Sequence, residues 1–120
     1  MRRLLLLPLL LAAPGLEAQA PAKTVSELKA FFVANCVKCH GADGSARSAA
    51  GEKLRGQDFT SAEWQAKSTE PAMAKTMRKG IMFGMVMPSF KDQLTEADAA
   101  LLAREVLRKA EKGKAIAPEP

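Results

Sequence analysis

The sequence predicts an all-α fold of three to four short helices joined by long loops. Two observations point to it: helix-start signals recur along the chain, and no stretch sustains the period-two alternation of a strand. A third observation adds a requirement. The loops are too long for a compact domain of this size unless something anchors them.

The first twenty of the 120 residues are set apart. Arg2 and Arg3 form a positive tip, and an apolar run from Leu4 to Leu16 is interrupted by Pro8 and Pro14. Ala18-Gln19-Ala20 then offers a small-x-small cleavage site. The run is too short to span about 30 Å of hydrocarbon, so residues 1–20 are expected to be a cleaved secretory signal peptide. Residues 21–120 are then the folded domain, with no stable membrane insertion after cleavage. No cysteine lies near the cleavage site, so a lipid anchor is not expected either.

Each helix has a start and a stop. Thr24 with Glu27 is a capping box, and Leu28, Phe31 and Phe32 form the apolar stripe of the helix that runs into Cys36. Thr60 to Glu63 is a second capping pattern, opening a short helix around Trp64. Thr69-Glu70-Pro71 opens a third, with Met73 and Met77 inward and Gly80 as its stop. Thr95 to Asp98 opens the last, with Leu94 and Ala99 as a hydrophobic staple. Its apolar side is Leu102, Val106 and Leu107, Gly113 is its expected end, and residues 113–120 are expected to fray. Between the helices lie a Gly/Ser/Ala-rich loop from His40 to Leu54 and a Met-rich segment from Gly80 to Pro88.

A domain of 100 residues with five Phe, one Trp and no Tyr has a modest core, and small domains usually need a staple. Cys36 and Cys39 are too close in sequence for a disulfide between them to hold a fold. A large buried apolar cofactor would supply the missing core. Removing the leader takes the net charge from +5 to +4, since it carries two arginines and one glutamate. The basic residues are dispersed, which argues against nucleic acid and for acidic protein surfaces.

Cys36-Val37-Lys38-Cys39-His40 is Cys-x-x-Cys-His, the spacing of c-type haem attachment. Two thiols one turn apart add to the two vinyl groups on one edge of the porphyrin, and the adjacent imidazole reaches over the ring to the iron. All the cysteine and histidine of the chain falls inside this window. A thioredoxin-like pair would need a βαβ setting, and a structural zinc site would need four N/S ligands. A plain disulfide would leave His40 unexplained.

With one His and no Tyr, the other face of the iron falls to a methionine thioether. Met73 and Met77 sit at helical spacing and suit packing. Met82, Met85 and Met87 lie on the loop before the last helix. Pro88 restricts the backbone of Met87; Met87 ranks first, Met85 next and Met82 third, an order that owes much to the family these residues resemble.

These stretches resemble the class I cytochromes c, of the small bacterial single-haem kind. The resemblance is carried in order by Phe32 to Gly44, Met87 to Phe90, and Leu94 to Val106, and it covers almost all of Thr24 to Lys109. It implies that the first and last helices cross, so that Leu28, Phe31 and Phe32 meet Leu102 and Val106. It implies one haem c on Cys36 and Cys39, with His40 and Met87 as axial ligands of its iron. Leu54, Phe59, Trp64, Phe83 and Phe90 are candidate pocket residues, with Trp64 a candidate donor to a haem propionate. The family's Gly-Pro-x-Leu stretch, whose carbonyl orients the proximal His, would correspond to Gly51-Glu52-Lys53-Leu54.

The function expected is that of a single-electron carrier in the periplasm rather than an enzyme, since both axial positions stay filled. Lys38, Lys53, Lys79 and Lys91 flank the haem-binding segments and are candidates to steer redox partners with acidic docking surfaces. The alternative is a dedicated haem subunit of a larger redox enzyme or oxidase, which a large exposed apolar patch would support.

Overall fold

The computed structural model describes residues 20–120. The expected signal segment, Ala20 apart, lies outside the described residues. The described chain is helical, and its only β-type pairings are two isolated bridges, Arg47 with Lys53 and Ile81 with Met87.

Helix α1 spans Val25–Asn35, and its capping box forms as predicted. Thr24 Oγ1 accepts from the Glu27 amide while Glu27 accepts from the Thr24 amide. After a break at Cys36, the motif coils into α2, Val37–His40. Helix α3 is Ala62–Lys67, and here the expected cap shifts by one residue. Ser61, not Thr60, accepts from the Trp64 amide, because the Thr60 hydroxyl is already engaged with Asp58 Oδ1. Helix α4, Glu70–Lys79, starts at Thr69 and ends at Gly80, whose φ of 72° an L side chain adopts only with strain.

Helix α5, Glu96–Leu102, is capped by Thr95 and continues as a π-type turn, Ala103–Leu107, in which the Arg108 amide bonds back five residues to Ala103. The expected end at Gly113 is not reached. The helix stops near Leu107, where its end is tied to α3. Gln65 Nε2 donates to the Leu107 carbonyl at 2.9 Å, and the Arg108 guanidinium donates to the Gln65 and Ser68 carbonyls. Residues 113–120 have no regular structure, yet they are docked. The Gly113 amide bonds Asp43 Oδ2, the Ile116 amide bonds the Ala42 carbonyl, and Glu119 pairs with Lys29.

The core lies where α1 and α4 pack on α5 and its π-type extension. Leu28, Phe32, Leu94, Ala99, Leu102, Ala103, Val106 and Leu107 are buried there with Met73 and Met77. The expected apposition of Leu28 and Phe32 with Leu102 and Val106 is thus present in one cluster. A buried carboxylate ties the start of α1 to α5. Asp98 accepts from the Lys23 amide at 2.9 Å and the Thr95 amide at 3.1 Å, with no side-chain exposure. Burial pushes this carboxyl up, but the hydrogen bonds and the Lys23 ammonium outweigh it and hold its pKa below the usual value.

Candidate functional site

The α1–α2 break turns Cys36, Cys39 and His40 toward one side of the domain, where they line a cleft of about 730 Å³. Gly41 follows with φ 78°, and a Cβ there would stand 2.7 Å from the Arg47 carbonyl oxygen. The chain can therefore reverse directly after the histidine. From α4 and the segment after it, Met73, Ile81, Met85, Val86, Met87 and Phe90 line the same cleft. The sequence-predicted Met87 thus shares the cleft with the motif. Met85 lies there too, whereas Met82 does not.

His40 is buried and constrained on two sides. Its Nδ1 is 2.9 Å from the Gln57 carbonyl oxygen. A carbonyl only accepts, so Nδ1 carries the proton and Nε2 keeps a free lone pair. Burial lowers the His40 pKa below its ordinary value, and the bond to Gln57 only partly offsets this, so the neutral ring is favoured. On its face, Phe59 stacks with ring centroids 4.3 Å apart and planes at 18°.

The orienting carbonyl is not in Gly51–Leu54, as the family resemblance suggests. That loop pairs with its own strand-like neighbour through Arg47 and Lys53. The carbonyl belongs to Gln57, in Gly56-Gln57-Asp58-Phe59. Gly56 makes the approach possible: its amide bonds the Cys39 carbonyl at 2.8 Å, and a Cβ there would stand 2.4 Å from that oxygen and 2.5 Å from His40 Nδ1. The signal in the sequence was a glycine followed three residues on by a bulky apolar residue, and between His40 and Trp64 two such stretches compete.

Of the expected pocket residues, Phe59, Trp64 and Phe90 line the cleft. Phe83 does not. It stands fully exposed at 106%, with φ 55°. Leu54 is half-buried outside the cleft lining. Trp64 packs against Phe59 with centroids 5.0 Å apart.

The donor set decides which chemistry fits. The two thiols are not bridged to each other, and burial, with Cys39 adding a smaller effect, pushes the Cys36 thiol up to about 12. Disulfide-exchange cysteines need the opposite shift. Among the described residues, no group of three or more His, Cys, Asp or Glu side chains is placed to hold a metal ion by itself. A cleft of this volume, apolar along most of its wall and lined by two thiols, an imidazole and a thioether, fits a large planar apolar cofactor. No described helix is long and apolar enough to cross a membrane.

Comparison with known proteins gives a consistent result. The sequence model of the family described as cytochrome c oxidase, cbb3-type, subunit III matches residues 23–104. Among solved structures, the KustC0563 c-type cytochrome is 31% identical, with 70% of this chain and 96% of that one covered and a TM-score of 0.57. The c-type cytochrome NirC (22% identity, 78% and 93% covered, TM-score 0.56) shares the fold. So does the c-type cytochrome XoxG from Methylobacterium extorquens AM1 (17% identity, 79% and 57% covered, TM-score 0.50). No curated protein matches the chain. With a family match over most of the domain and a c-type cytochrome related across nearly its whole length, the expected class I cytochrome c fold holds: the chain belongs to the cbb3-type cytochrome c oxidase subunit III family of cytochrome c domains, and its cofactor is a covalently bound, iron-containing haem c.

Proposed function

We propose that the chain is a single-electron carrier of the periplasm in which Cys36 and Cys39 would hold haem c through two thioethers, with His40 and Met87 as the side chains that would bind its iron. The observation that carries this reading is the cleft itself. Cys36, Cys39 and His40 of the Cys-x-x-Cys-His motif and Met87 all line it. When bound, haem iron supplies reversible one-electron transfer, and a Met thioether raises its potential.

This chain's residues do the rest. The Gln57 carbonyl accepts a hydrogen bond from Nδ1–H and leaves Nε2 free to bind metal. The backbone of Met87 is paired with Ile81, amide to carbonyl in both directions, which fixes the base of the loop that presents the thioether. Phe59, Met73 and Phe90 are buried in the cleft wall and exclude water from it. With His40 and Met87 both bound to the iron, no substrate would reach it, and the chain would accept one electron from a donor protein and pass it to an acceptor.

Lys38, Lys53, Lys79 and Lys91 are all exposed, and Lys79 and Lys91 share a shallow groove with Lys75. Such a surface suits transient docking of acidic partners, weakened by salt.

The test is the visible spectrum of the holoprotein, oxidised and reduced, before and after carbon monoxide. His/Met ligation predicts a low-spin spectrum with a weak far-red sulfur-to-iron band when oxidised, and no response to carbon monoxide. Met87→Ala should abolish the band and admit carbon monoxide, while Met85→Ala should leave both unchanged. A high-spin spectrum in the unsubstituted protein would refute the carrier reading.

One observation favours a second reading, a dedicated haem subunit of a larger redox enzyme. Ile81, Met82, Phe83, Met85 and Val86 are all exposed. Ile81, Met85 and Val86 line the cleft, so a cofactor there would cover part of them, but Met82 and Phe83 lie outside it. A permanent partner would show as a high-mass species on size exclusion of the native envelope extract, unaffected by salt. A transient carrier elutes at its own mass.

A further inference from the structure

We infer that Phe59 is a positioning residue for the His40 ring: its flat face fixes the rotation of the imidazole about the bond that Nε2 makes to iron. The inference rests on the ligand assignment proposed above and goes beyond it. An imidazole held at Nε2 and by one hydrogen bond at Nδ1 keeps a soft rotation about the Nε2–metal axis. The Gln57 carbonyl restrains that rotation only as far as one bond can bend. A second ring stacked at 4.3 Å and 18° blocks it sterically, because turning the imidazole edge-on would drive its carbons into the Phe59 face.

Phe59 is itself held. Its amide donates to the Gly44 carbonyl at 2.7 Å, and its carbonyl accepts from Gln65 Nε2 at 2.7 Å. Its ring meets Trp64 at 5.0 Å and Phe32 at 6.5 Å, both away from parallel, and it is buried. One short run of backbone therefore supplies two constraints on the histidine. Gln57 fixes the proton-bearing nitrogen, and Phe59, two residues on, fixes the ring plane. An aliphatic side chain of similar bulk would fill the space but present no flat face.

That difference is the test. Phe59→Leu and Phe59→Met keep most of the apolar volume, and Phe59→Tyr keeps the face. In each ferrous holoprotein, the solvent exchange rate of the His40 Nδ1 proton is measured by NMR, with the Leu28 backbone amide as a monitor of general loosening. In the ferric form, the spread of the haem methyl resonances, which follows the imidazole plane, is recorded. Since an aromatic pair is worth a factor of about two to ten in an equilibrium, Nδ1 exchange should rise about two- to tenfold relative to Leu28 in the Leu and Met variants. The methyl pattern should change with it, and Tyr should restore both. If Nδ1 exchange and the methyl pattern are unchanged in the Leu and Met variants, or if exchange rises only in step with Leu28, Phe59 is a packing residue and the inference fails. Absence of an iron-bound imidazole signal from the unsubstituted holoprotein would instead sink the ligand assignment, before any Phe59 variant is read.

Discussion

Gly56→Ala is the most informative stability test, because the sign of its effect depends on one close approach. The backbone at Gly56 is not in the left-handed region, so alanine there carries no φ penalty. In open space the substitution would stabilise the fold by about 0.4–1 kcal/mol through the unfolded state. The structure predicts the reverse. The new Cβ would stand 2.4 Å from the Cys39 carbonyl oxygen, 2.5 Å from His40 Nδ1 and 2.8 Å from the Cys39 carbonyl carbon. Two of these atoms are backbone and cannot swing away. Relief by backbone movement costs about 1–3 kcal/mol, and moving residue 56 draws the Gln57 carbonyl off His40, losing a further ~0.5–1.5 kcal/mol. The net expectation is a loss of about 2–3 kcal/mol in urea unfolding of the holoprotein. Gly51→Ala is the control, since a Cβ there would meet nothing within 4 Å but the φ is 83°. It should lose only about 1–2 kcal/mol, all of it backbone strain. A Gly56→Ala protein as stable as the unsubstituted one would refute the close packing of residues 56–59 on the motif.

Other outcomes follow from burial and charge. Phe32, with no exposed surface, should cost about 3–5 kcal/mol on change to Ala, whereas Phe83→Gly should cost nothing and gain up to ~1 kcal/mol, since Phe83 is fully exposed at φ 55°; thermal unfolding of the pair checks both. For Asp98 the folded pKa lies below the unfolded one, so the unfolded state takes up the proton first as pH falls. Its contribution is therefore fully present above the unfolded value of about 3.9 and is lost as pH drops through the folded value. Asp98→Asn should flatten the acid limb of stability against pH, and an unchanged limb would show that the clasp on Lys23 and Thr95 contributes nothing there.

What was legible in the sequence was local. Thr24, Thr69 and Thr95 announce helices because a cap and its partner lie within one turn, and the structure forms all three caps. The attachment motif is equally local, since two thiols and an imidazole must sit one turn apart to serve one porphyrin edge. The pairing of the first and last helices was readable only through the family resemblance, since an apolar stripe does not name its partner. Errors appeared where another group competed. The cap at Thr60 moved to Ser61 because Asp58 had already taken the threonine hydroxyl. The last helix stopped at Leu107, not Gly113, because Gln65, 42 residues away, caps its carbonyl.

The sequence by itself determined the class of fold and the chemistry, through short-range patterns that any surrounding structure must respect. Only the tertiary structure decided which carbonyl orients His40, which aromatic faces it, and which methionines share its cleft. Every residue offers a carbonyl and many offer bulk, so composition does not single one out. The choice of Gln57 over the loop at Gly51–Leu54 depends on whether backbone can approach His40 to within about 3 Å, and the missing side chain of Gly56 grants that approach.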